Sequence, residues 1–510
     1  MARKPRPTLE QVLASVRAQH AMSPACKPGQ APKSDPILAV VVTCHPAYLK
    51  WLPECLESIN GQSVVPVERV LCFDGTLDRS GLSPDLLTGW LVIEGTWGTP
   101  CGGRNAGMAA TVAPWLVWID ADNILPAGFL EGYSSQARTA DDRVAILYTD
   151  LAYMDEEGRD TGAGRVMGLY DYWELRRQNF IDTASCWRRC AVEQAGGWLD
   201  TKRFDDWAVA LNITRLGWQA EKAKTPALRY RRHAGSRLQL KTYDDTFWRF
   251  RTYGIVTLFA GRKWVFDEWC HWILNATLPP MSNLHIMDNS GDPQFSQMVD
   301  VFCARSQVRS RFGQIRVMRV NEKCPASPDG SHSFPVKHAH VARLYNEILP
   351  GVTEDLVFTI EDDVIGPLDG LRTLAGQIHC GSHIGAIGGA YPCSNAGPTL
   401  VCFGADICDR WRGMIKWADM PWTPKEVGTI GWGFTLYANW FLHRAIPVST
   451  RPTTGGTVGA DARICIQMRN LYGAKIFVHG GVRCLHRYRP DFDGKGVPSE
   501  HYERQHEPLA

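Results

Sequence analysis

Short apolar runs that end in acidic residues, each followed by a helix-like segment, are the feature that most constrains the fold of this chain. ILAVVVT, beginning at Ile37, precedes the helically spaced YLKWLPECLESINGQ, and the later runs VERVLCFD and WLVWID end on Asp74 and Asp120. Strands that alternate with helices form βα units and a mainly parallel sheet. The sequence therefore predicts an α/β fold, and this organisation continues to about residue 235.

The same organisation restarts in the second half of the chain. LHIMD predicts a strand that ends at Asp288, and DLVFTIED predicts one that ends at Glu361 and Asp362. The order of elements matches that of the first half, while the loops differ in length. We interpret the two halves as distant copies of one α/β domain, arranged in tandem.

The 510 residues provide for two or three domains of ordinary size. A basic, Pro-rich segment precedes the first strand, and a basic, aromatic stretch (FWRFRTYGIVTLFAGRKWVFDEW) separates the two halves. We predict that this stretch is a helical connector. The expected boundaries are a flexible tail over 1–35, a first domain over 36–237, the connector over 238–270, a second domain over 271–490 and a C-terminal tail over 491–510.

Composition and hydropathy narrow the class of protein. Hydrophobic residues make up 45% of the chain and charged residues 21%, which fits a packed globular protein and excludes a mainly disordered one. No run approaches the ~18 consecutive apolar residues of a membrane helix, and the basic N-terminus lacks the apolar core of a signal peptide. We expect a soluble, cytoplasmic protein with no transmembrane segment, and the sequence leaves its oligomeric state open.

The net charge of +2 conceals two basic segments. Residues 1–33 carry six Lys or Arg and one acid, and residues 221–263 carry eleven Lys or Arg and three acids. A near-neutral protein with such segments is suited to a polyanionic partner. A solvated tail and one phosphate-binding loop explain the same charges, and the sequence does not decide between the two.

The sharpest motif is Asp120-Ala121-Asp122, which directly follows the apolar run PWLVWI. A strand end points side chains into the crevice beyond the sheet, where ligands bind in open α/β folds. Two carboxylates at this spacing can share one hard cation whose other ligands are waters and phosphate oxygens. Such triplets also occur by chance as solvated turns, and the preceding strand is what favours a functional site here.

A glycine-rich segment, GGRNAG over 102–107, opens a predicted helix upstream of the acidic motif. Glycine permits close approach of the backbone, and the start of a helix attracts anions. Arg104 is then placed to hold a diphosphate and Asn105 to bond a ribose or base. The alternative is a glycine turn with a surface arginine.

Downstream, Asp205 and Asp206 open another predicted helix, and a basic strand (RYRRH) ends at His233. Acidic residues at a helix start are often only caps. Apolar neighbours such as Trp198 and Trp207 would raise the pKa of a carboxylate and suit it to act as a base. His233 is a potential metal ligand, although a lone histidine is more often structural.

These segments, in this order, resemble the nucleotide-sugar glycosyltransferases of family 2, which have the Rossmann-like GT-A fold. The resemblance covers about residues 37–237 and rests on AVVVTCHP, LCFDG, GGRNAG, WIDADNILP, GGWLD, FDDW and YRRH. It implies a nucleoside-diphosphate sugar as donor substrate and a divalent metal, Mn²⁺ or Mg²⁺. The roles it implies are donor binding by Asp74, Arg104, Asn105 and Asp120, metal binding by Asp122 and His233, and catalysis by Asp206 as the base.

The second half resembles the same fold with more drift. IEDDVIGP places Glu361 and Asp363 at the spacing of the metal pair, and GTIGWGFTLY resembles the acceptor-side loop. The resemblance implies donor binding by Asp288, catalysis by Asp461, and metal binding by Glu361, Asp363 and His486. The Arg-Asn pair is missing, and Arg343 and Asn346 are an approximate counterpart. The second half is therefore either a second active site or a non-catalytic, acceptor-binding domain.

The reaction that the resemblance implies is sugar transfer with inversion, for which the metal offsets charge on the leaving diphosphate. Two acceptors stay open: a glycan, or the hydroxymethylated bases of phage-type DNA. The basic segment 221–263 interleaves cations with aromatic residues, a composition that can hold phosphates and stack bases but also suits sugars. A non-catalytic binding protein with degenerate transferase domains is a further alternative, and the complete acidic set of the first half argues against it.

Overall fold

The computed structural model describes residues 28–29 and 38–487, the latter with gaps. The gaps are residues 65, 67, 79, 81, 202, 236–247, 249, 322–323, 325–333, 379–380, 393–398, 404–413, 417–418 and 449–458. The chain divides into two compact units, residues 1–246 and 247–510. Apart from residues 28–29, the tails expected over 1–35 and 491–510 lie outside the described residues.

The first unit alternates strands and helices, as the sequence pattern indicates. Its strands are β1 (Leu38–Cys44), β2 (Glu68–Asp74), β3 (Leu91–Gly95), β4 (Trp115–Asp120), β5 (Val144–Tyr148), β6 (Leu151–Met154), β7 (Asp160–Arg165), β8 (Cys186–Arg188), β9 (Gln219–Lys222) and β10 (Leu228–Arg231). Its α-helices are α1 (Leu52–Asn60), α2 (Pro100–Ala109), α3 (Phe129–Thr139), α4 (Tyr172–Arg177), α5 (Arg189–Gln194) and α6 (Asp205–Arg215). Short 3₁₀ helices span Pro46–Trp51 and Pro84–Leu87.

Seven of these strands form one mainly parallel sheet in the order β3-β2-β1-β4-β8-β5-β9. Only β8 runs antiparallel to its neighbours, β4 and β5. All seven residues of β1 are buried, as expected for the strand at the centre of a sheet covered on both faces. Strands β6, β7 and β10 form a second, smaller sheet in the order β10-β6-β7.

Helix α2 packs unusually close to β1. A Cβ atom added to Gly107 would lie 2.3 Å from Cγ1 of Val41, so only a glycine allows the helix backbone to approach the strand this closely. This packing fixes α2, which carries Arg104 and Asn105, over β1 and β2.

The second unit contains the remaining strands and helices. Its strands are β11 (Tyr253–Phe259), β12 (Ser282–Asp288), β13 (Ile315–Arg319), β14 (Leu356–Ile360), β15 (Val364–Ile365), β16 (Ile384–Ala390), β17 (Thr399–Phe403), β18 (Met414–Lys416), β19 (Pro424–Val427), β20 (Thr429–Ile430), β21 (Phe434–Ala438), β22 (Lys475–Arg483) and β23 (Leu485–His486). Its α-helices are α7 (Lys263–Asn275), α8 (Pro293–Ala304), α9 (Ser306–Arg309), α10 (Phe334–Ile348), α11 (Gly370–Ala375), α12 (Asn439–Ala445) and α13 (Ala460–Tyr472). A 3₁₀ helix spans Leu349–Gly351.

The large sheet of the second unit repeats that of the first, strand by strand. Its order is β13-β12-β11-β14-β21-β16-β22-β19. β21 is antiparallel to β14 and β16, as β8 is to β4 and β5, and the other shared pairs are parallel. Strand β19, antiparallel to β22, is the addition. The predicted fold class, two α/β units with mainly parallel sheets, is confirmed.

The helical connector predicted over 238–270 is wrong for its central part. Tyr253–Phe259 forms β11, which pairs with β12 on one side and β14 on the other and is the counterpart of β1. The sequence YGIVTLF is typical of a buried central strand, but the basic and aromatic residues around it obscured the signal. Helix α7, beginning at Lys263, is helical as expected, and Trp248 and Phe250 also have a helical backbone. The second domain therefore begins before residue 253 and not at 271.

No helix among the described residues has the length and apolar character needed to span a lipid bilayer. Of the described cysteines, Cys190 is disulfide-bonded and the others form no disulfide.

Candidate active site

The first unit brings its predicted acidic residues to one edge of the large sheet. Parallel strands β2 and β4 end at Asp74 and Asp120, and Thr43, near the end of β1, is in register with Asp120. In open α/β sheets ligands bind in the crevice outside the carboxyl ends of the strands. The topology thus supports a binding site at this edge.

A buried arginine links the end of β4 to the start of α6. Oδ1 of Asp120 accepts hydrogen bonds from Thr43 Oγ1 at 3.0 Å and from Arg104 Nη2 at 2.8 Å. The other terminal nitrogen of Arg104 donates to Asp205, and the guanidinium lies 4.6 Å from the Trp198 ring centroid. Arg104 is 3% exposed, and its buried Nε has no hydrogen-bond partner among the described residues. The diphosphate contact expected of Arg104 stays a prediction.

Asn105 holds the backbone that leads to the acidic helix. Its Nδ2 donates to the Trp198 carbonyl at 2.9 Å, and its Oδ1 accepts from the Trp198 N–H at 2.9 Å. Both polar groups of the side chain therefore have a structural partner. The ribose or base contact that the resemblance implies for Asn105 stays a prediction.

Asp74 orders the loop between β3 and α2. Its two carboxylate oxygens accept hydrogen bonds from the backbone N–H groups of Trp97 at 2.9 Å and Gly98 at 3.0 Å. Gly98 has a φ of 66°, in the left-handed region that glycine adopts without strain. The half-buried carboxylate of Asp74 thus shapes this loop, and its nucleoside contact stays a prediction.

The predicted metal ligands of the first unit lie side by side. His233 Nε2 is 3.1 Å from Oδ2 of Asp122. The imidazole is buried, with its ring centroid 4.5 Å from that of Trp51 and 5.5 Å from that of Tyr48. Burial raises the pKa of Asp122, and the hydrogen bond with His233 opposes this rise. The structure therefore places together two residues that lie far apart in the sequence.

Arg231 is a supporting residue that sequence reasoning missed. It is 1% exposed; its Nε donates to the Asp122 carbonyl at 2.9 Å, and its Nη2 donates to Glu54 at 2.5 Å. Its backbone N–H donates to Asn123 Oδ1 at 3.1 Å. Arg231 thereby fixes the loop that carries the acidic motif. No periodic signal in the sequence marked it, because the two buried residues of β10, Leu228 and Arg231, do not alternate along the strand.

Asp206 lies at the start of α6 in a strained turn. Phe204, before the helix, has a φ of 56°, which is unusual for a residue other than glycine and typical of functional sites. Oδ1 of Asp206 accepts a hydrogen bond from the Trp207 N–H at 2.7 Å. Burial, reinforced by Asp205 and Asp182, raises the pKa of Asp206 to about 8.

Two further residues complete this site, and sequence reasoning did not single out the first of them. Burial raises the pKa of Asp182 to about 6, although a hydrogen bond from the Ala184 N–H opposes the rise. Burial raises the pKa of Tyr230, and Asp182 and Asp122 contribute to the same shift. Asp182 and Tyr230 therefore face the same space as the motif carboxylates. Asp182 lies in an irregular loop, which gave no periodic signal.

The second unit repeats the pairing of a strand-end carboxylate with a terminal histidine. His486 Nε2 is 3.7 Å from Oδ2 of Asp363, and its Nδ1 lies 3.0 Å from the Pro392 carbonyl. Burial lowers the pKa of His486, but Asp363, the Pro392 carbonyl and Glu361 together raise it above its usual value. Glu361, also named from sequence, is largely desolvated, which with the charge of Asp363 raises its pKa to about 8.

An arginine that sequence reasoning missed contacts these acids. Arg262, the residue directly before α7, donates to Asp362 and lies 3.3 Å from Oδ2 of Asp363. Asp362 is 2% exposed and also accepts a hydrogen bond from the Ala260 N–H at 3.0 Å. The predicted metal carboxylate of the second unit is thus already neutralised by a cation of the chain.

Asp461 opens α13 as Asp206 opens α6. Its Oδ1 accepts from the Ala462 N–H at 2.8 Å, and His338 Nδ1 accepts from the Ala460 N–H at 3.2 Å. Burial raises the pKa of Asp461, while His338 opposes the rise. The catalytic role of Asp461 stays a prediction.

Asp288 does not occupy the position of Asp74. Cys44 of β1 is in register with Phe73, whereas its counterpart Phe259 is in register with Asp288. A shift of one residue turns a side chain to the opposite face of the sheet, and the Asp288 side chain is 1% exposed. A donor contact by Asp288 would require this carboxylate to become exposed.

The carboxylate of Asp288 is engaged within the protein. It accepts hydrogen bonds from Ser290 Oγ at 2.6 Å and from the hydroxyl of Ser296, with Arg319 Nε 3.7 Å away.

Asn346 is the counterpart of Asn105, as the sequence suggested. Its Nδ2 donates to the Val448 carbonyl at 2.7 Å, and its Oδ1 accepts from the Val448 N–H at 2.7 Å. The residue before Asn346 is Tyr345, however, so Arg343 does not stand in the position of Arg104.

Among the described residues, no three His, Cys, Asp or Glu side chains are arranged to hold a metal ion together. Metal binding therefore stays a prediction for both units. In the first unit a metal would need ligands from the substrate in addition to the protein.

Residues 39–191 match the sequence profile of the glycosyl transferase family 2. The match runs from β1 through β8 and includes Asp74, Arg104, Asn105, Asp120 and Asp122. No curated protein sequence matches the chain.

Solved structures resemble parts of the chain at low sequence identity. S. aureus TarS 1-349 in complex with UDP-GlcNAc is 12% identical with a TM-score of 0.35, over 41% of this chain and 63% of TarS 1-349. GalNAc-T7 with UDP, GalNAc and Mn²⁺ is 10% identical with a TM-score of 0.33, over 47% of this chain and 44% of that one. The mannosyltransferase PcManGT from Pyrobaculum calidifontis, with GDP-Man and Mn²⁺, is 18% identical with a TM-score of 0.28, over 43% and 67% of the two chains.

Proposed function

We propose that the first unit, in which residues 39–191 form a glycosyl transferase family 2 domain, transfers a sugar from a nucleoside-diphosphate donor to an acceptor hydroxyl with inversion. The observation that carries this proposal is the convergence of two kinds of acid at one sheet edge. Asp120 and Asp122, the latter beside His233, form one set, and Asp206, with a pKa raised to about 8, forms the other. Inverting transfer requires a charged site for the leaving diphosphate and a separate base for the acceptor.

The first set has donor atoms that suit Mn²⁺ or Mg²⁺. Carboxylate oxygens are the preferred ligands of these ions, and an imidazole is also compatible with Mn²⁺. Asp122 and His233 would hold the ion, with Asp120, whose Oδ2 accepts no hydrogen bond from the described residues. When bound, the ion would offset negative charge on the leaving diphosphate.

The residues of the chain perform the remaining tasks. Arg104, 3% exposed, keeps the end of β4 and the start of α6 at a fixed separation, so that donor and base face each other. Asp206 takes the proton of the acceptor hydroxyl as its oxygen attacks the anomeric carbon, and the bond to the diphosphate breaks. No covalent intermediate with the protein is needed.

The acceptor is either a glycan or hydroxymethylated DNA. Of the aromatic residues in the basic segment, Tyr230 lies at the proposed site, whereas Tyr243 and Phe247 fall outside the described residues. A base in duplex DNA would have to be flipped out to reach the site. A cytoplasmic location is likewise proposed from sequence only.

The test uses the full-length protein with UDP-, GDP- and dTDP-sugars and candidate acceptors, with nucleotide release and product mass measured. EDTA should abolish transfer and Mn²⁺ or Mg²⁺ should restore it. The Asp120→Asn, Asp122→Asn double variant should be inactive, whereas Asp85→Asn, an exposed acid of the same unit, should behave as the parent. Full activity of the double variant, or transfer unaffected by EDTA, would contradict the proposal.

A further inference from the structure

The two units can be superposed residue by residue through their hydrogen-bond ladders. The Arg189 N–H donates to the Pro114 carbonyl at 2.9 Å, and in the second unit the Asn439 N–H donates to the Asp355 carbonyl at 3.0 Å. Counted from these bonds along β4 and β14, Asp120 corresponds to Glu361. The same number of residues separates Asn105 from Asp120 and Asn346 from Glu361, so the correspondence extends back through α2 and α10.

The correspondence shows that several charged residues around the proposed donor site are replaced by uncharged residues in the second unit. Arg104 corresponds to Tyr345, and Asp182, counted along the antiparallel strands β8 and β21, corresponds to Trp432. Asp205 at the helix start corresponds to Ala460. We infer that the second unit holds no metal-bound nucleoside diphosphate and that any donor site of this chain lies in the first unit alone.

The place of the metal is taken by a guanidinium. Arg262 contacts both Asp362 and Asp363, and His486 approaches the same Oδ2 of Asp363. The residue at the corresponding position of the first unit, counted from β1 and β11, is the uncharged Ala47. A divalent cation at Asp363 would have to displace Arg262 or lie against its positive charge, which Coulomb repulsion opposes.

Two aromatic rings stand at the positions that Arg104 and Asp182 occupy in the first unit. Tyr345 and Trp432 stack with their ring centroids 3.9 Å apart and an interplanar angle of 16°. They are only 1% and 3% exposed. A diphosphate there would lose its hydration against apolar surfaces, and burying unpaired charge is costly.

The nucleoside position has changed as well. The register of β11 and β12 places Asn289, and not Asp288, where the first unit has Asp74. Three parts of the donor site, for the nucleoside, the diphosphate and the metal, are therefore altered together in the second unit.

The inference takes its definition of the donor site from the proposed function, and the test separates the two. The full-length protein is titrated with Mn²⁺ in the presence of UDP, GDP or dTDP, and bound Mn²⁺ is counted by electron paramagnetic resonance. We expect one nucleotide-dependent Mn²⁺ per chain, at least tenfold weaker binding in Asp122→Asn, and unchanged stoichiometry and affinity in Asp363→Asn. Thermal melting verifies that each variant folds, and the half-buried Glu361→Gln replaces Asp363→Asn if the latter does not.

Two Mn²⁺ ions per chain, reduced to one by Asp363→Asn or Glu361→Gln, would overturn the inference and leave the proposed function intact. A single ion lost in these second-unit variants but retained in Asp122→Asn would overturn both. If no ion binds with any of the nucleotides, the proposed metal dependence of the first unit is refuted, whereas the statement about the second unit stands.

Discussion

Asp205 and Asp206 are neighbours at the start of α6, yet they have different partners. Asp205 forms an ion pair with the buried Arg104, while Asp206 accepts a hydrogen bond from the Trp207 N–H. Burial and the adjacent negative charge therefore raise the pKa of Asp206 to about 8. A carboxylate in such surroundings has a higher affinity for a proton, which makes it a stronger base towards the acceptor hydroxyl.

We predict that Asp206→Asn lowers turnover by roughly 10²–10⁴-fold, the usual contribution of a general base. Donor affinity should change little, because the base acts on the acceptor. The same variant should be at least as stable as the parent above pH 8, since it removes an ionised carboxylate from a desolvated position. Steady-state kinetics and thermal melting at pH 8.5 measure both effects. A loss of stability with normal turnover would show that Asp206 is only a helix cap.

The pH dependence of the parent follows from the same raised pKa. Only the deprotonated carboxylate can accept a proton, so kcat/KM should rise with pH to a plateau, with a midpoint near the pKa of about 8. The residual rate of Asp206→Asn should lack this rise. Initial rates between pH 6 and pH 9.5, at fixed Mn²⁺, provide the measurement, and the same midpoint in both proteins would argue for another group.

At this scale the sequence predicted residues next to strand ends and missed their distant partners. Asp120 and Asp122 were evident because a buried strand directly precedes them. Arg231 and Arg262 were not, since their carboxylate partners, Glu54 and Asp362, are distant in the sequence and only the folded chain brings them near. Asp288 shows a second limit. The strand that ends at Asp288 was predicted correctly, but its register with β11 decides which face of the sheet the side chain occupies.

An asparagine of α2, Asn105, and its counterpart in α10, Asn346, each hydrogen-bond the backbone of one distant residue. These residues, Trp198 and Val448, precede α6 and α13 in the chain. Removal of either side chain leaves a carbonyl and an N–H group without a partner, which costs roughly 1–3 kcal/mol per buried group. We therefore predict that Asn105→Ala and Asn346→Ala each lower the melting temperature measurably. Asn275→Ala, an exposed helix-end residue, should not. Equal melting temperatures for all three variants would contradict this role.

The close contact of α2 with β1 gives a test at the level of one element pair. Gly107→Ala would place a Cβ atom 2.3 Å from Val41 Cγ1, and the overpacking should cost roughly 1–3 kcal/mol. Gly168→Ala is the matched control, because nothing lies within 4 Å of its Cβ position. Chemical denaturation of both variants makes the comparison. A Gly107→Ala protein as stable as the control would show that α2 can move away from the strand.

Elements were predictable from sequence where one periodic pattern dominated. β1, β4 and β14 are mostly apolar runs, whereas β11 is flanked by Arg, Lys and Trp residues that resemble a surface helix. The prediction of a helix failed because pairing with β12 and β14 buries β11, whichever residues flank it in the sequence.

For the whole molecule, the position of β11 decides which fragment can fold. A fragment of residues 247–510 retains the central strand of its sheet, while a fragment of residues 271–510 lacks it and would leave β12 and β14 unpaired on one side. We predict a cooperative thermal transition for the first fragment and none for the second. Near-ultraviolet circular dichroism and melting measure this, and a folded 271–510 fragment would restore the sequence-based boundary.

The additional strand β19 has a consequence for how each sheet ends. In the first unit the last strand is β9, only four residues long, and its sequence QAEK places charged groups on a short border. In the second unit the corresponding β22 is nine residues long and includes the apolar stretch IFV. A long apolar strand at the edge of a sheet exposes unpaired backbone groups, which can pair with a strand of another chain. By covering β22, β19 protects the second unit from self-association, a safeguard that the charged border of β9 supplies in the first.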